Sequence, residues 1–338
     1  MLENTKRYLL TMGDPNGVGP EICLKLLQSK SFGKGRIPIL IGDPTVLEKA
    51  RQMTGVKKNI VVIQSLVDAD KVWPKGIPVY SAGISFSEKV QPGKVTKACG
   101  VASIGYVRRA VELVQQGLAH AVVTAPLCKE AVEKTVPGFQ GHTEYIGEMC
   151  GDPEPVLALV HGSWVVAHVS THVSLRNAVD RAQKERIVKV GRLLQDFLQR
   201  YTGKKKPLIG VAGINPHAGE GGLFGLEEEQ EIAPAVKSLR KLRIDAQGPL
   251  PGDVIFPQLQ AGRFDGVIAM YHDQGHVVTK TLFFDLGKKR KVGGVNTTLG
   301  LPVLRTSVDH GTGFDIAWQG IASELSLRDA LELAIRLT

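Results

Sequence analysis

Histidine is the residue type whose positions in this chain most invite chemistry. Three apolar runs rich in β-branched residues each end in a polar loop that carries an imidazole. Residues 165–169 lead into Ser170-Thr171-His172, residues 208–211 into Asn215-Pro216-His217-Ala218-Gly219-Glu220, and residues 267–270 into Tyr271-His272-Asp273-Gln274-Gly275. Neutral imidazole suits zinc and other first-row divalent ions, and a catalytic ion commonly takes three protein ligands while leaving a place for substrate. Any one of these histidines alone reads as a helix cap or a loop hydrogen bond. Three at equivalent places make His172, His217 and His272 candidate metal ligands. His168 stands four residues before His172, the spacing of a helical H-x-x-x-H site, but Val165, Val166 and Val169 favour a strand. A strand would set His168 about 13 Å from His172, at roughly 3.3 Å per residue, so His168 is read as structural.

Anion binding is the second theme. Arg305 lies in the stretch 296–315, dense in polar and small residues, and its guanidinium can clamp a carboxylate or phosphate through two hydrogen bonds. Lys280 can add a point charge. A surface salt bridge is the plain alternative for each. Gly13-Asp14-Pro15-Asn16-Gly17-Val18-Gly19-Pro20-Glu21 follows the apolar run 8–12 and opens a helix. Glycine there permits close backbone approach, and a helix start favours anions. The G-x-G-x-x-G spacing of a dinucleotide turn is absent, and an ordinary tight turn accounts for the segment equally well.

These loops need strands and helices to aim them. Apolar, β-branched runs at 37–41, 60–63, 121–124, 156–159, 165–169, 208–211 and 266–270 alternate with helical patterns, clearest over 101–116, 175–201, 227–239 and 327–337. The alternation predicts an α/β protein with largely parallel sheets, in which reactive groups leave the carboxyl ends of strands. A length of 338 residues fits two domains of about 150 residues. With 43% hydrophobic and 22% charged residues, the composition is that of a soluble globular protein. No apolar run approaches the ~20 residues of a membrane span, and no signal core follows the charged start, so a cytoplasmic location is expected. Cys23, Cys99, Cys128 and Cys150 form no C-x-x-C pair, so neither a zinc ribbon nor a disulfide framework can be read from them. The net charge of +9 comes with only 6% aromatic residues and no nucleic-acid motif, so a small anionic substrate is the simpler partner.

Taken together, the motifs resemble the 4-hydroxythreonine-4-phosphate dehydrogenase family, including its branch acting on 4-phosphothreonate and 4-phosphoerythronate. The likeness covers nearly the whole chain. It rests on Gly13 to Glu21, Thr124-Ala125-Pro126-Leu127, Gly141-His142-Thr143-Glu144, Thr171-His172-Val173-Ser174-Leu175, Asn215 to Glu220, Gly248-Pro249-Leu250-Pro251-Gly252-Asp253, Tyr271 to Gly275 and Asn296 to Asp315. It implies a divalent metal on His172, His217 and His272, with zinc first and magnesium, manganese or cobalt as alternatives. It also implies a phosphorylated substrate bound by His142, Thr143, Lys280, Asn296 and Arg305. A homodimer would share its active sites, the His272 ligand coming from the partner subunit.

A wider resemblance, to isocitrate and isopropylmalate dehydrogenases, lies in the first glycine-rich turn and in His310-Gly311-Thr312-Gly313-Phe314-Asp315. It implies NAD bound without a Rossmann fingerprint, with His310, Gly311, Thr312 and Asp315 on the cofactor. Two α/β/α domains with the active site in the cleft follow from the same likeness, the first being 1–125 with 276–338 and the second 126–275. The implied reaction oxidises a secondary alcohol β to a carboxylate and releases carbon dioxide, with Lys280, Asp253 and Asp273 as candidates to move the hydroxyl proton. A phosphotransacetylase-like acyltransferase and a non-enzymatic phosphometabolite-binding protein are the competing readings. His276 and the basic stretch Lys288-Lys289-Arg290-Lys291 depart from the vitamin B6 biosynthetic enzymes and resemble the sugar-acid branch, with His276 expected to meet a substrate 2-hydroxyl.

Overall fold

The computed structural model describes residues 5–28, 32–152, 154–285, 291, 292 and 294–338. The chain divides into two compact units, Met1–Pro153 with Leu301–Thr338, and Glu154–Gly300. Both crossings lie further along the chain than the divisions expected near 125 and 275. Residues beyond Thr124 stay with the first unit because short helices Lys129–Glu133 and His142–Met149 fold back onto the long helix Lys97–Gln115. Gly100 meets that return so closely that a Cβ would lie 2.0 Å from the Ala131 carbonyl oxygen. Residues beyond 275 stay with the second unit because helix His272–Phe283 is tied to its sheet, Trp164 Nε1 donating to Thr279 Oγ1 at 3.2 Å.

In the first unit the strand order is Ile60–Val62, Ile77–Tyr80, Arg36–Ile41, Lys6–Thr11, Ala121–Thr124, Arg305–Val308, and each pairing is parallel. The central strand buries Tyr8, Leu9 and Leu10 without alternation, as a parallel strand covered on both faces must. Register sets Thr11 beside both Ile41 and Thr124, so three strands stop level and release their loops at one edge.

In the second unit the order is Val295–Leu299, Val156–His161, Trp164–His168, Gly266–Ala269, Ile209–Ala212, Ala246–Leu250. The last four run parallel, whereas Val156–His161 is antiparallel to both neighbours, so this half of the fold is mixed. Trp164, Val166, Ile255, Phe256, Leu259, Phe264 and Val267 form its apolar core. The helix expected over 175–201 is two, Leu175–Asp180 and Lys184–Thr202. The break is fixed by side chains: Gln183 donates to the Asp180 carbonyl at 2.9 Å, and Glu231 takes the Lys184 N–H at 2.7 Å. The helix expected over 227–239 begins as a π turn, Glu228–Ile232, before the α-helix Ala233–Lys241. Within the described residues no helix is long and apolar enough to cross a membrane.

Candidate active site

Parallel register explains why three histidine loops emerge together in the second unit. Ala269 lies beside His168 and Ile268 beside Val211, so Trp164–His168, Gly266–Ala269 and Ile209–Ala212 end at one level. His172 and His272 line a cavity of about 410 Å³ with Thr171, Ser174, Tyr271 and Asp273, and their ring centroids are 5.9 Å apart. His217 lines an adjoining groove of about 760 Å³ with Asp253 and Gln274, sharing Tyr271 and Asp273 with the first cavity. A single chain therefore offers its imidazoles as two plus one. Among the described residues, no three His, Cys, Asp or Glu side chains converge to hold a metal within one chain. The donor chemistry fits a first-row divalent ion, while the count is short by one.

Two of the rings carry a carboxylate on Nδ1. His272 meets Asp273 at 2.6 Å and His217 meets Glu220 at 3.1 Å. That pairing orients the ring and turns Nε2 outward as a possible donor, the arrangement outer carboxylates commonly give metal-binding histidines. The His217 loop is strained: His217 and Ala218 have φ of 54° and Glu220 has φ of 45°. A left-handed residue other than glycine costs about 1–2 kcal/mol. Gln274 links the two histidine loops, accepting from Met270 N at 2.7 Å and donating to the Gly213 carbonyl at 2.7 Å.

Beneath His272 lies a second layer of imidazole. His276 follows one helical turn later and stacks on His272 with centroids 3.7 Å and planes 8° apart. It is 6% exposed, and its Nδ1 lies 3.0 Å from the His272 carbonyl. It lines neither of these two cavities. His168, fully buried, packs 4.8 Å from His276. Burial depresses the His276 pKa to about 2 and that of His168 to about 4, so both are neutral at physiological pH. Residue 275 must be glycine here, since a Cβ would come within 2.3 Å of His168 Nε2.

In the first unit, Arg305 gathers two hydroxyls around its guanidinium. Arg305 is 3% exposed, with Nη2 and Nε donating to Thr124 Oγ1 at 3.0 and 3.3 Å and Nη1 to Thr143 Oγ1 at 3.3 Å. Burial pulls its pKa down to about 10, against the attraction of Glu144, so it stays cationic at neutral pH. Neighbouring His142 is driven well below its usual pKa by burial and by the Arg305 and Lys129 charges. Its buried Nε2 finds no hydrogen-bond partner among the described residues. A neutral imidazole, two hydroxyls and a desolvated guanidinium make a receptacle for a phosphate or carboxylate.

The glycine-rich turn and the 310–315 loop, far apart in sequence, lie together in this unit. Val18 N donates to the Thr312 carbonyl at 2.9 Å, and a Cβ on Gly17 would stand 3.0 Å from that oxygen. His310 keeps Nδ1 2.9 Å from the Gly311 carbonyl, and Asp315 is exposed. The other expected residues belong to the second unit: Lys280, exposed, with Nζ 5.5 Å from the Phe284 ring; Asp253 in the first turn of Gly252–Gln260; Asn296 in Val295–Leu299. Lys288, Lys289 and Arg290 lie outside the described residues. Sequence reasoning gave no role to Thr124, Gln274 or Glu228. Only Thr124 carried a signal, as the last residue of a strand.

Residues 34–334 match the family model described as pyridoxal phosphate biosynthetic protein PdxA. The chain is 42% identical to D-threonate 4-phosphate dehydrogenase of Cupriavidus necator over 97% of each protein. It is 40% identical to D-threonate 4-phosphate dehydrogenase of Salmonella typhimurium, covering 98% of this chain and 99% of that one. The crystal structure of 4-hydroxythreonine-4-phosphate dehydrogenase from Klebsiella pneumoniae aligns with a TM-score of 0.83 at 37% identity, covering 98% and 99% of the two chains. The mixed α/β fold is shared with relatives named dehydrogenases, which supports an oxidoreductase. The chain belongs to the pyridoxal phosphate biosynthetic protein PdxA family.

Proposed function

We propose that this protein is an NAD- and divalent-metal-dependent dehydrogenase that oxidises and decarboxylates a 4-phosphorylated four-carbon hydroxy acid, with 4-phosphothreonate or 4-phosphoerythronate preferred. The buried Arg305, held by Thr124 and Thr143 near a His142 nitrogen with no hydrogen-bond partner among the described residues, carries the reading, because a dianionic phosphate is the natural partner of such a guanidinium. The relatives named for D-threonate 4-phosphate favour the sugar acid over the amino acid.

A bound divalent cation would supply Lewis acidity toward the substrate hydroxyl and carboxylate, and a bound nicotinamide would supply the hydride acceptor. The chain's own groups do the rest. His172, His217 and His272 would hold the cation, with His272 supplied by the second subunit of a homodimer. Arg305, Thr143 and His142 bind the phosphate, with Lys280 and Asn296 completing the substrate contacts. The loop His310, Gly311, Thr312 and Asp315 receives the cofactor. Asp253 and Asp273, on the groove that carries His217, and Lys280 are the candidates to take the hydroxyl proton.

The deciding experiment compares kcat/KM for NAD reduction with 4-phosphothreonate, 4-phosphoerythronate and 4-hydroxythreonine 4-phosphate, together with carbon dioxide release. A sugar acid should give the highest value, leaving dihydroxyacetone phosphate. A tenfold advantage for 4-hydroxythreonine 4-phosphate would reverse the substrate assignment, and no NAD reduction with any of them would end the dehydrogenase reading.

A further inference from the structure

The loop carrying His217 leaves the strand Ile209–Ala212 with His217, Ala218 and Glu220 in the left-handed region. Such a conformation persists only where its surroundings fix it. Within the loop the Asn215 carbonyl accepts from Ala218 N at 3.1 Å and the His217 carbonyl from Glu220 N at 3.4 Å. The root is held from outside by Glu228, a carboxylate only 3% exposed. Its Oε1 accepts from Ile214 N at 2.7 Å and Asn215 N at 2.8 Å, and its Oε2 from Asn215 Nδ2 at 2.8 Å. Two glycines make room for it, since a Cβ on Gly213 would stand 3.0 Å from Oε1 and one on Gly219 2.9 Å from Oε2. Glu228 opens the π turn Glu228–Ile232, a local irregularity often found at functional sites.

We propose that Glu228 is a positioning residue for His217, anchoring the root of a strained loop so that the imidazole is presented before a cation arrives. The inference rests on the reading of His217 as a metal ligand. A carboxylate accepts at both oxygens and an amide at one. Glu228→Gln therefore keeps the size of the side chain but sets an NH2 group against either the backbone N–H pair or the Asn215 amide.

The test titrates metal-free full-length protein with Co²⁺, reading affinity by chelator competition and ligand geometry by the visible spectrum, for wild type, Glu228→Gln and His217→Ala. Glu228→Gln should bind Co²⁺ about ten- to a hundredfold more weakly with an altered spectrum. Excess Co²⁺ should restore much of its kcat, but not that of His217→Ala. Wild-type affinity and spectrum in Glu228→Gln, alongside a loss in His217→Ala, would overturn the role of Glu228 alone. Unchanged Co²⁺ binding in His217→Ala would instead remove the ligand assignment on which it rests. Hydrogen exchange on wild-type protein covers the case of a variant that does not fold: the Ile214 and Asn215 amides should exchange as slowly as those of Ile209–Ala212. Exchange as fast as the Gly221 amide would overturn the proposal.

Discussion

Arg305 and His217 solve the problem of presenting a functional group in opposite ways. Arg305 starts a buried strand, has its N–H groups on the Thr124 and Thr143 hydroxyls, and remains charged despite desolvation. His217 stands on a loop with its side chain 66% exposed, kept in place by left-handed backbone and by contacts from Glu228 to the loop root. A site inside a sheet is prebuilt by packing, at the cost of desolvating charge. A group on a loop stays open to solvent, and needs bracing from residues behind it.

The largest effect should come from breaking the open site. His172→Ala, His217→Ala and His272→Ala should each fold yet lose bound metal and turnover together, since a three-ligand site tolerates no missing member. Pairwise mixing of the inactive variants then sharpens the comparison. If His272 comes from the partner subunit, His172→Ala mixed with His272→Ala regains activity, because one heterodimer site is intact. Within one chain, however, His172 and His272 share a cavity and His217 stands apart. Recovery confined to mixtures containing His217→Ala would show that His172 and His272 act from the same chain.

Breaking the prebuilt site comes next. Arg305→Ala should cost about 2–5 kcal/mol of transition-state binding, roughly thirty- to several-thousandfold in kcat/KM. An unphosphorylated analogue should lose far less. Equal losses on both substrates would move Arg305 away from the phosphate.

A smaller effect separates burial from ligation. His168 has a folded-state pKa near 4 against an ordinary value of 6.5. The unfolded chain therefore binds a proton first as pH falls. The stability contributed by neutral His168 is complete above about pH 6.5 and is lost progressively as pH drops toward about 4, at about 1.4 kcal/mol per pKa unit. Urea unfolding at pH 7 and pH 5 should show a larger acid penalty for wild type than for His168→Gln. Identical penalties would show that His168 does not carry it.

The sequence determined by itself which strands release the three histidine loops. Periodic apolar runs ending in polar loops located the strands at 121–124, 165–169, 208–211 and 266–270 to within a residue or two, because β-branched runs between turn residues are a local signal. With those strands parallel, His172, His217 and His272 had to leave one edge. The antiparallel strand Val156–His161, the break before Lys184 and the π turn at Glu228 were not legible, since each depends on side chains from other elements: the neighbouring strands, Glu231, and the backbone of 214 and 215. Tertiary structure alone decided that Arg305 meets Thr124 across 181 residues of sequence and that His276 is a buried support for His272. It alone placed two histidines in one cavity and the third in another. Residue type and spacing set which groups can act. Desolvation, strain and pairing set how they act, and these arise from long-range contacts that no local pattern records.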